Sequence, residues 1–333
     1  MSPVQGKRMI RGFAVAALLA ALAIAPPTTA QTGPDMPLAD LTDDFDRVWN
    51  ETAQLPDATR ATAFKAAFAK VLPGFYDEQR FGIAAAQYDA RLLQKLKEYP
   101  DRRAGIARVA GSLESLFTPA RTKFEAEFGP MVGYPPIYLV NSLGEFDGGT
   151  RDLPEGVRLL FGADVIDQIY KTTPIQPFFH HELFHIVHNR TFPDCPQLWC
   201  NLWSEGLAVY VSARLNPDAD DAALLLTIPV PLRAAVEDHR QEAVCAVRAR
   251  LDSTERRDYA PLFNGGVKPI SPNLPPRFAY YVGYRIAEDV GHGRTLKELA
   301  ALGQAQVRPL IEQSLAKMAR CPLPVSSTVV ERG

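Results

Sequence analysis

The sequence predicts an α+β fold, mainly helical, in which a small β-sheet packs on one of the helices. Three observations carry this. Apolar residues recur at helical spacing through residues 31–130 and again from residue 175 to residue 318. Between these stretches, two short β-branched and aromatic runs break the helical period and read as strands. The chain has 333 residues, 47% hydrophobic and 22% charged, which is enough to bury a substantial core.

The elements follow in order. Leu38 to Trp49, Ala58 to Val71, Asp77 to Tyr99 and Arg102 to Phe128 are expected helices. Pro56-Asp57, Pro73-Gly74, Pro100-Asp101 and Gly129-Pro130 mark their ends. Residues 131–333 then change character. Pro136 to Val140 is an expected strand, Phe146 to Thr150 a glycine-rich turn, and Val157 to Phe161 a second strand. Ile175 to His188 reads as a helix, introduced by Thr172-Thr173-Pro174 and closed before Pro193. Leu202 to Leu215 is the next helix; Asn216-Pro217-Asp218 breaks it, and Ala219 to Leu226 starts another. Ala234 to Leu251 is helical, and the stretch from Tyr259 to Pro276, rich in Pro and Gly, is expected to be loop. Phe278 to Val290, Thr295 to Leu302 and Val307 to Met318 complete the chain as helices. No break in composition is strong enough to make residues 31–130 and 131–333 independent domains.

Residues 1–30 have the layout of an export signal. Lys7, Arg8 and Arg11 form a basic start, Gly12 to Ala25 is apolar but short for a membrane span, and the stretch ends in small residues. Cleavage is expected after Ala30; an uncleaved anchor is the competing reading. Residues 1–30 hold three of the 36 Lys and Arg and none of the 38 Asp and Glu, so cleavage moves the formal charge from −2 to −5. No basic stripe remains, which argues against a nucleic-acid partner. No other stretch is apolar enough to cross a membrane, so the mature chain is expected to be periplasmic or secreted, without stable membrane insertion. Cys195, Cys200, Cys245 and Cys321 suit two disulfides in such a compartment. Pairing Cys195 with Cys200 and Cys245 with Cys321 is preferred among the three connectivities. A structural metal on Cys195 and Cys200 is the alternative, weakened by the lack of a second pair at matching spacing.

The chemistry concentrates in His181-Glu182-Leu183-Phe184-His185. On a helix, residues four apart differ by about 40° and lie one turn apart, so both imidazoles face the same way and can share one metal ion. Glu182 then flanks that ion and can take a proton from an attacking water. Glu205, twenty residues after His185, offers a third ligand from a second helix. The opposing reading is an amphipathic helix with histidines at a polar surface. The nearby Phe178, Phe179, Leu183, Phe184 and Val187, available for a core, count against it. A metzincin continuation fails, because the positions that need glycine and histidine hold His188 and Thr191. Asp194 is a possible oxygen ligand but reads as a loop residue. His188 lies on nearly the same face as the pair and either orients Glu205 or is a polar residue at a helix end. His180 points about 100° away and reads as supporting or surface. On the helix from Phe278, Tyr281 and Tyr284 lie opposite an apolar stripe. They either line a cleft, where a phenol can donate to an oxyanion, or cover neighbouring apolar surface.

His181, Glu182, His185 and Glu205 together resemble the pattern of gluzincin metallopeptidases. The stretch from Trp203 to Tyr210, Trp-Ser-Glu-Gly-Leu-Ala-Val-Tyr, and the later Tyr281-Val282-Gly283-Tyr284-Arg285-Ile286 are similar to bacterial families of zinc-dependent proteases without known substrate. The resemblance covers roughly residues 136–300 and leaves residues 31–130 without a matching motif. It implies a zincin-like core, Zn2+ on His181, His185 and Glu205, Glu182 as general base, and a peptide or protein substrate. Two other functions share these residues: a non-proteolytic zinc-binding module, and zinc hydrolysis of a non-peptide bond.

Overall fold

Leu38–Asp40 is not the first turn of a helix but a strand, β1. The structure, a computed structural model, describes residues 37–193 and 195–322. The expected export signal and its cleavage point lie outside the described residues. Asp40 accepts hydrogen bonds from the Thr42 backbone N–H (2.9 Å) and hydroxyl (2.7 Å), which fixes the turn into α1 (Thr42–Thr52). α2 (Asp57–Phe68) packs against α1 through Phe45, Phe64 and Phe68.

A short 3-10 turn (Glu78–Phe81) leads into α3 (Ala85–Phe128), which passes through Pro100, where the sequence predicts a break. A proline removes one hydrogen bond from a helix interior. Leu92, Leu96 and Tyr99 before it, and Ile106, Val109 and Leu113 after it, all face the core, and their burial outweighs that loss.

β2 (Ile137–Val140), β3 (Gly148–Leu153) and β4 (Gly156–Gly162) complete a four-stranded mixed sheet of order β1-β2-β4-β3. β1 and β4 both pair parallel with β2; β3 pairs antiparallel with β4 and forms an edge. Phe146 to Thr150, expected as a turn, therefore runs into an edge strand. β4 lies between two neighbours, so its own edges are taken.

α4 (Ala163–Ile169), which the sequence does not suggest, leads to α5 (Gln176–His188), the helix that carries His181 and His185. Pro177 in its first turn costs no helical hydrogen bond. α5 buries Phe178, Phe179, Leu183 and Phe184, each contributing about 1.5–3 kcal/mol. Much of that surface meets α3: Phe117 packs edge-on to Phe179 at 5.3 Å, and Phe128 meets Phe184 at 5.6 Å. Residues 37–130 thus support the back of α5.

α6 (Leu198–Leu215) carries Glu205. Ala219 to Leu226 forms turns rather than a helix, and the left-handed φ of Leu225 (+56°) interrupts any helical run. α7 (Leu232–Asp238) and α8 (Arg240–Arg248) divide the expected single helix at His239, whose dihedrals are not helical. α9 (Arg256–Phe263) extends into the expected loop. α10 (Ala279–Val290), α11 (Leu296–Ala300) and α12 (Gln304–Met318) follow. One hydrophobic core runs from Phe45 to Leu315. Cys195 bonds Cys200, and Cys245 bonds Cys321, tying α8 to the segment after α12. These disulfides suit an oxidising, exported environment. Among the described residues, no helix is long and apolar enough to cross a membrane.

Candidate metal centre

α5 and α6 meet so that three ligand atoms converge. His181 Nε2 and His185 Nε2 lie 3.0 Å apart, and Glu205 Oε2 lies 3.3 and 3.5 Å from them. Zinc bonds of about 2.0–2.2 Å place tetrahedral ligand atoms about 3.3–3.6 Å apart; the two Glu205 edges match this and the imidazole pair is about 0.3 Å closer, so the triangle is near the size for one such ion. The donors suit it as well: two imidazoles and one carboxylate, all part-buried. When both Nε2 lone pairs face a metal, His185 Nδ1 carries the proton and is 3.4 Å from Ser204 Oγ, an acceptor on α6.

Burial pushes the Glu205 carboxyl upward, but His185 and His181 more than offset this and hold it well below the usual carboxylate range. Glu182 behaves oppositely. Burial raises it, His181 and His185 oppose that, and Asp147 and Glu205 add to it. Glu182 Oε2 is buried with no hydrogen-bond partner, an arrangement that costs stability unless something else occupies that oxygen. Gly148 of β3 touches this residue. A Cβ there would lie 2.5 Å from the Phe178 ring and 3.0 Å from Glu182 Cγ. Glycine is what lets the strand edge approach the carboxylate so closely.

These groups line a cleft of about 1110 Å3. Gly148 to Arg151 of β3, residues of α5 and α6, and Tyr259, Arg277 and Tyr280 all contribute to its lining. None of residues 37–130 lines it.

Tyr281 and Tyr284 are not in the cleft, because α10 turns them the other way. Tyr281 is 1% exposed. Its hydroxyl donates to Glu237 at 2.8 Å and accepts from Arg233 at 3.3 Å. Tyr284 stacks on Tyr281 at 5.9 Å. Tyr280 and Tyr259 line the cleft instead. Burial raises both phenols, and the Glu205 charge adds to it, placing both near the triad. Helical periodicity singles out the wrong pair because α7 supplies polar partners for Tyr281 that local sequence does not reveal.

The remaining histidines of α5 are core residues. His180 is fully buried; its Nε2–H donates to the Ala120 carbonyl at 3.0 Å and its Nδ1 accepts from Asn216 at 2.7 Å, tying α5 to α3 and the end of α6. His188 neither orients Glu205 nor ends in solvent. It is sandwiched between Phe184 and Phe192 at 4.9 and 5.0 Å, with both ring nitrogens unpartnered, and burial pushes it down to about 3. Asp194 lies outside the described residues.

The motif glycines also have a shared role. Gly206 of α6 and Gly283 of α10 form the crossing of these helices, where a Cβ on Gly206 would lie 2.2 Å from the Gly283 carbonyl carbon. The Trp203–Tyr210 stretch and the later Tyr281–Ile286 stretch thus meet through backbone, one residue from the candidate ligand Glu205. Comparison with protein-family models, curated proteins and solved structures returned no match.

Proposed function

We propose that this chain is an exported zinc peptidase with a gluzincin-type centre on a zincin-like core. The observation that carries it is the coincidence of the three-atom ligand triangle with a buried, unpartnered Glu182 carboxylate oxygen on an open cleft. His181, His185 and Glu205 would hold the ion. When bound, zinc supplies a Lewis acid that polarises a carbonyl and lowers the pKa of a water to about 7. Glu182, raised by burial, is suited to accept a proton from an attacking water and pass it to the leaving amine. The edge of β3 beside Glu182 offers backbone groups to an extended peptide, a role that β4 is too enclosed to fill. Tyr280 and Tyr259 replace Tyr281 and Tyr284 as phenols within the cleft.

A scaffolding role fits less well, because structural sites take four protein ligands and need no base. The strand edge favours a peptide over another hydrolysable bond. A library digest with and without chelator tests the reading. Wild-type protein should cleave peptides, and Glu182→Gln should keep its zinc while losing about 10²–10⁴-fold in rate. Unchanged cleavage by Glu182→Gln would refute it.

A further inference from the structure

Arg277, which lines the cleft, has no role in the chemistry above, and any part it plays in choosing substrates rests on the peptidase reading of the same cleft. We propose that the Arg277 guanidinium is a carboxylate-binding subsite, selecting peptides that place an anionic group near the metal triad.

Four observations support this. First, the backbone is held in an unusual state: φ of Arg277 is +70°, a left-handed conformation that an arginine adopts only under constraint. Its N–H donates to the Pro261 carbonyl at 3.2 Å. Second, the side chain is propped from two sides. The guanidinium lies 4.8 Å from the Tyr280 ring centroid, and Nη1 donates to the Ile228 carbonyl at 3.1 Å.

Third, that single carbonyl uses one of five N–H donors, and among the described residues no carboxylate lies within ion-pair distance. Arg151, which also lines the cleft, contrasts with it, since Glu145 holds it at 3.2 Å. Fourth, Arg277 lines the same cleft as His181, His185 and Glu205, and its charge acts on the Tyr280 hydroxyl, which also feels Glu205.

An arginine fork fixed in advance, with free donors, matches a carboxylate in two-point geometry and loses little side-chain freedom on binding. Arg256 is a third cation lining the cleft, but it is exposed and lacks such bracing, so water competes there.

The carboxylate can be an Asp or Glu side chain or a free C-terminus, and a paired peptide set separates these. One backbone sequence is prepared with Glu or Gln at each position around the cleavage point, with a free or amidated C-terminus. Wild type should cleave one acidic form with kcat/KM about 10- to 100-fold above its neutral twin. A side-chain carboxylate places that preference at a Glu position, a C-terminal one in the free-over-amidated pair. In Arg277→Gln the acidic-to-neutral ratio should fall to about one, and in Arg277→Lys it should be partly kept.

The same peptides, fluorescently labelled, are titrated into Glu182→Gln protein with and without Arg277→Gln. A charge preference in binding that needs Arg277, without any cleavage by wild type, would uphold the subsite and sink the peptidase. Cleavage with equal rates for acidic and neutral twins, or a preference that survives Arg277→Gln, would overturn the subsite and leave the peptidase standing.

Discussion

Replacing Gly206 by alanine should loosen the junction that carries Glu205. The added Cβ would lie 2.2 Å from the Gly283 carbonyl carbon, 2.4 Å from its Cα and 2.5 Å from its oxygen. Carbon atoms pack at about 3.5–4.0 Å, so α6 and α10 must part by about 1.3 Å or more at their crossing. Backbone cannot rotate away as a side chain can, so the cost lies near the top of the overpacking range, about 3 kcal/mol. Alanine returns about 1 kcal/mol of helix propensity, leaving a net loss of about 2 kcal/mol.

Gly111 provides the matched control. It is an exposed glycine within α3, and a Cβ there would meet nothing within 4 Å. Gly111→Ala should therefore stabilise by about 0.5–1 kcal/mol. Denaturant unfolding of both variants, alongside their zinc affinities, reads the difference. Gly206→Ala should unfold earlier and bind zinc more weakly, because Glu205 moves with its helix. A Gly206→Ala protein at least as stable as wild type, with unchanged zinc affinity, would refute the reasoning.

Other consequences test other parts of the structure. Gly148→Ala pushes Phe178 and Glu182 away from β3, so turnover should fall at least tenfold while zinc content stays at the wild-type level; normal turnover in that variant would argue against the close approach of the strand. His188 is held neutral by burial, its value lowered from 6.5 to about 3. The unfolded chain takes up that proton first, so stability is full above about pH 6.5 and falls by about 1.4 kcal/mol per pH unit below it, or about 2 kcal/mol by pH 5. His188→Leu should lose this share of the acid sensitivity in denaturant melts at pH 8 and pH 5, and an unchanged pH slope would contradict the buried neutral imidazole. Opening Cys245–Cys321, which spans 76 residues, should cost about 4.5 kcal/mol by chain entropy, against about 2 kcal/mol for Cys195–Cys200, which spans 5. The ranking is read from melts of the two double Cys→Ser variants.

The metal-ligand geometry is legible in the sequence because its core is local. Four-residue spacing on one helix brings His181 and His185 together in any fold that keeps α5, and Glu205 needs only a second helix crossing nearby. The sheet is half legible: β4 carries Val157 and Leu159-Leu160-Phe161 around a single Arg158, whereas β3 begins Gly148-Gly149, whose small size reads as a turn until its partner strand is seen. Pro100 looks like a stop, and packing on both sides carries α3 through it. The tyrosines are decided by tertiary context. Arg233 and Glu237 on α7 draw the Tyr281 hydroxyl away from the cleft, and nothing within α10 announces that. Arg277 is silent in the sequence for the same reason, since its importance lies in the carboxylate it lacks.

The most direct test of the central claim is the zinc content of the purified protein after equilibrium dialysis against zinc and removal of the excess. Wild type and Glu182→Gln should each hold close to one equivalent, and a His181→Ala, His185→Ala protein, shown by circular dichroism to be folded, should hold almost none. A folded wild-type protein that retains no zinc, or a double variant that retains as much as wild type, would contradict the account.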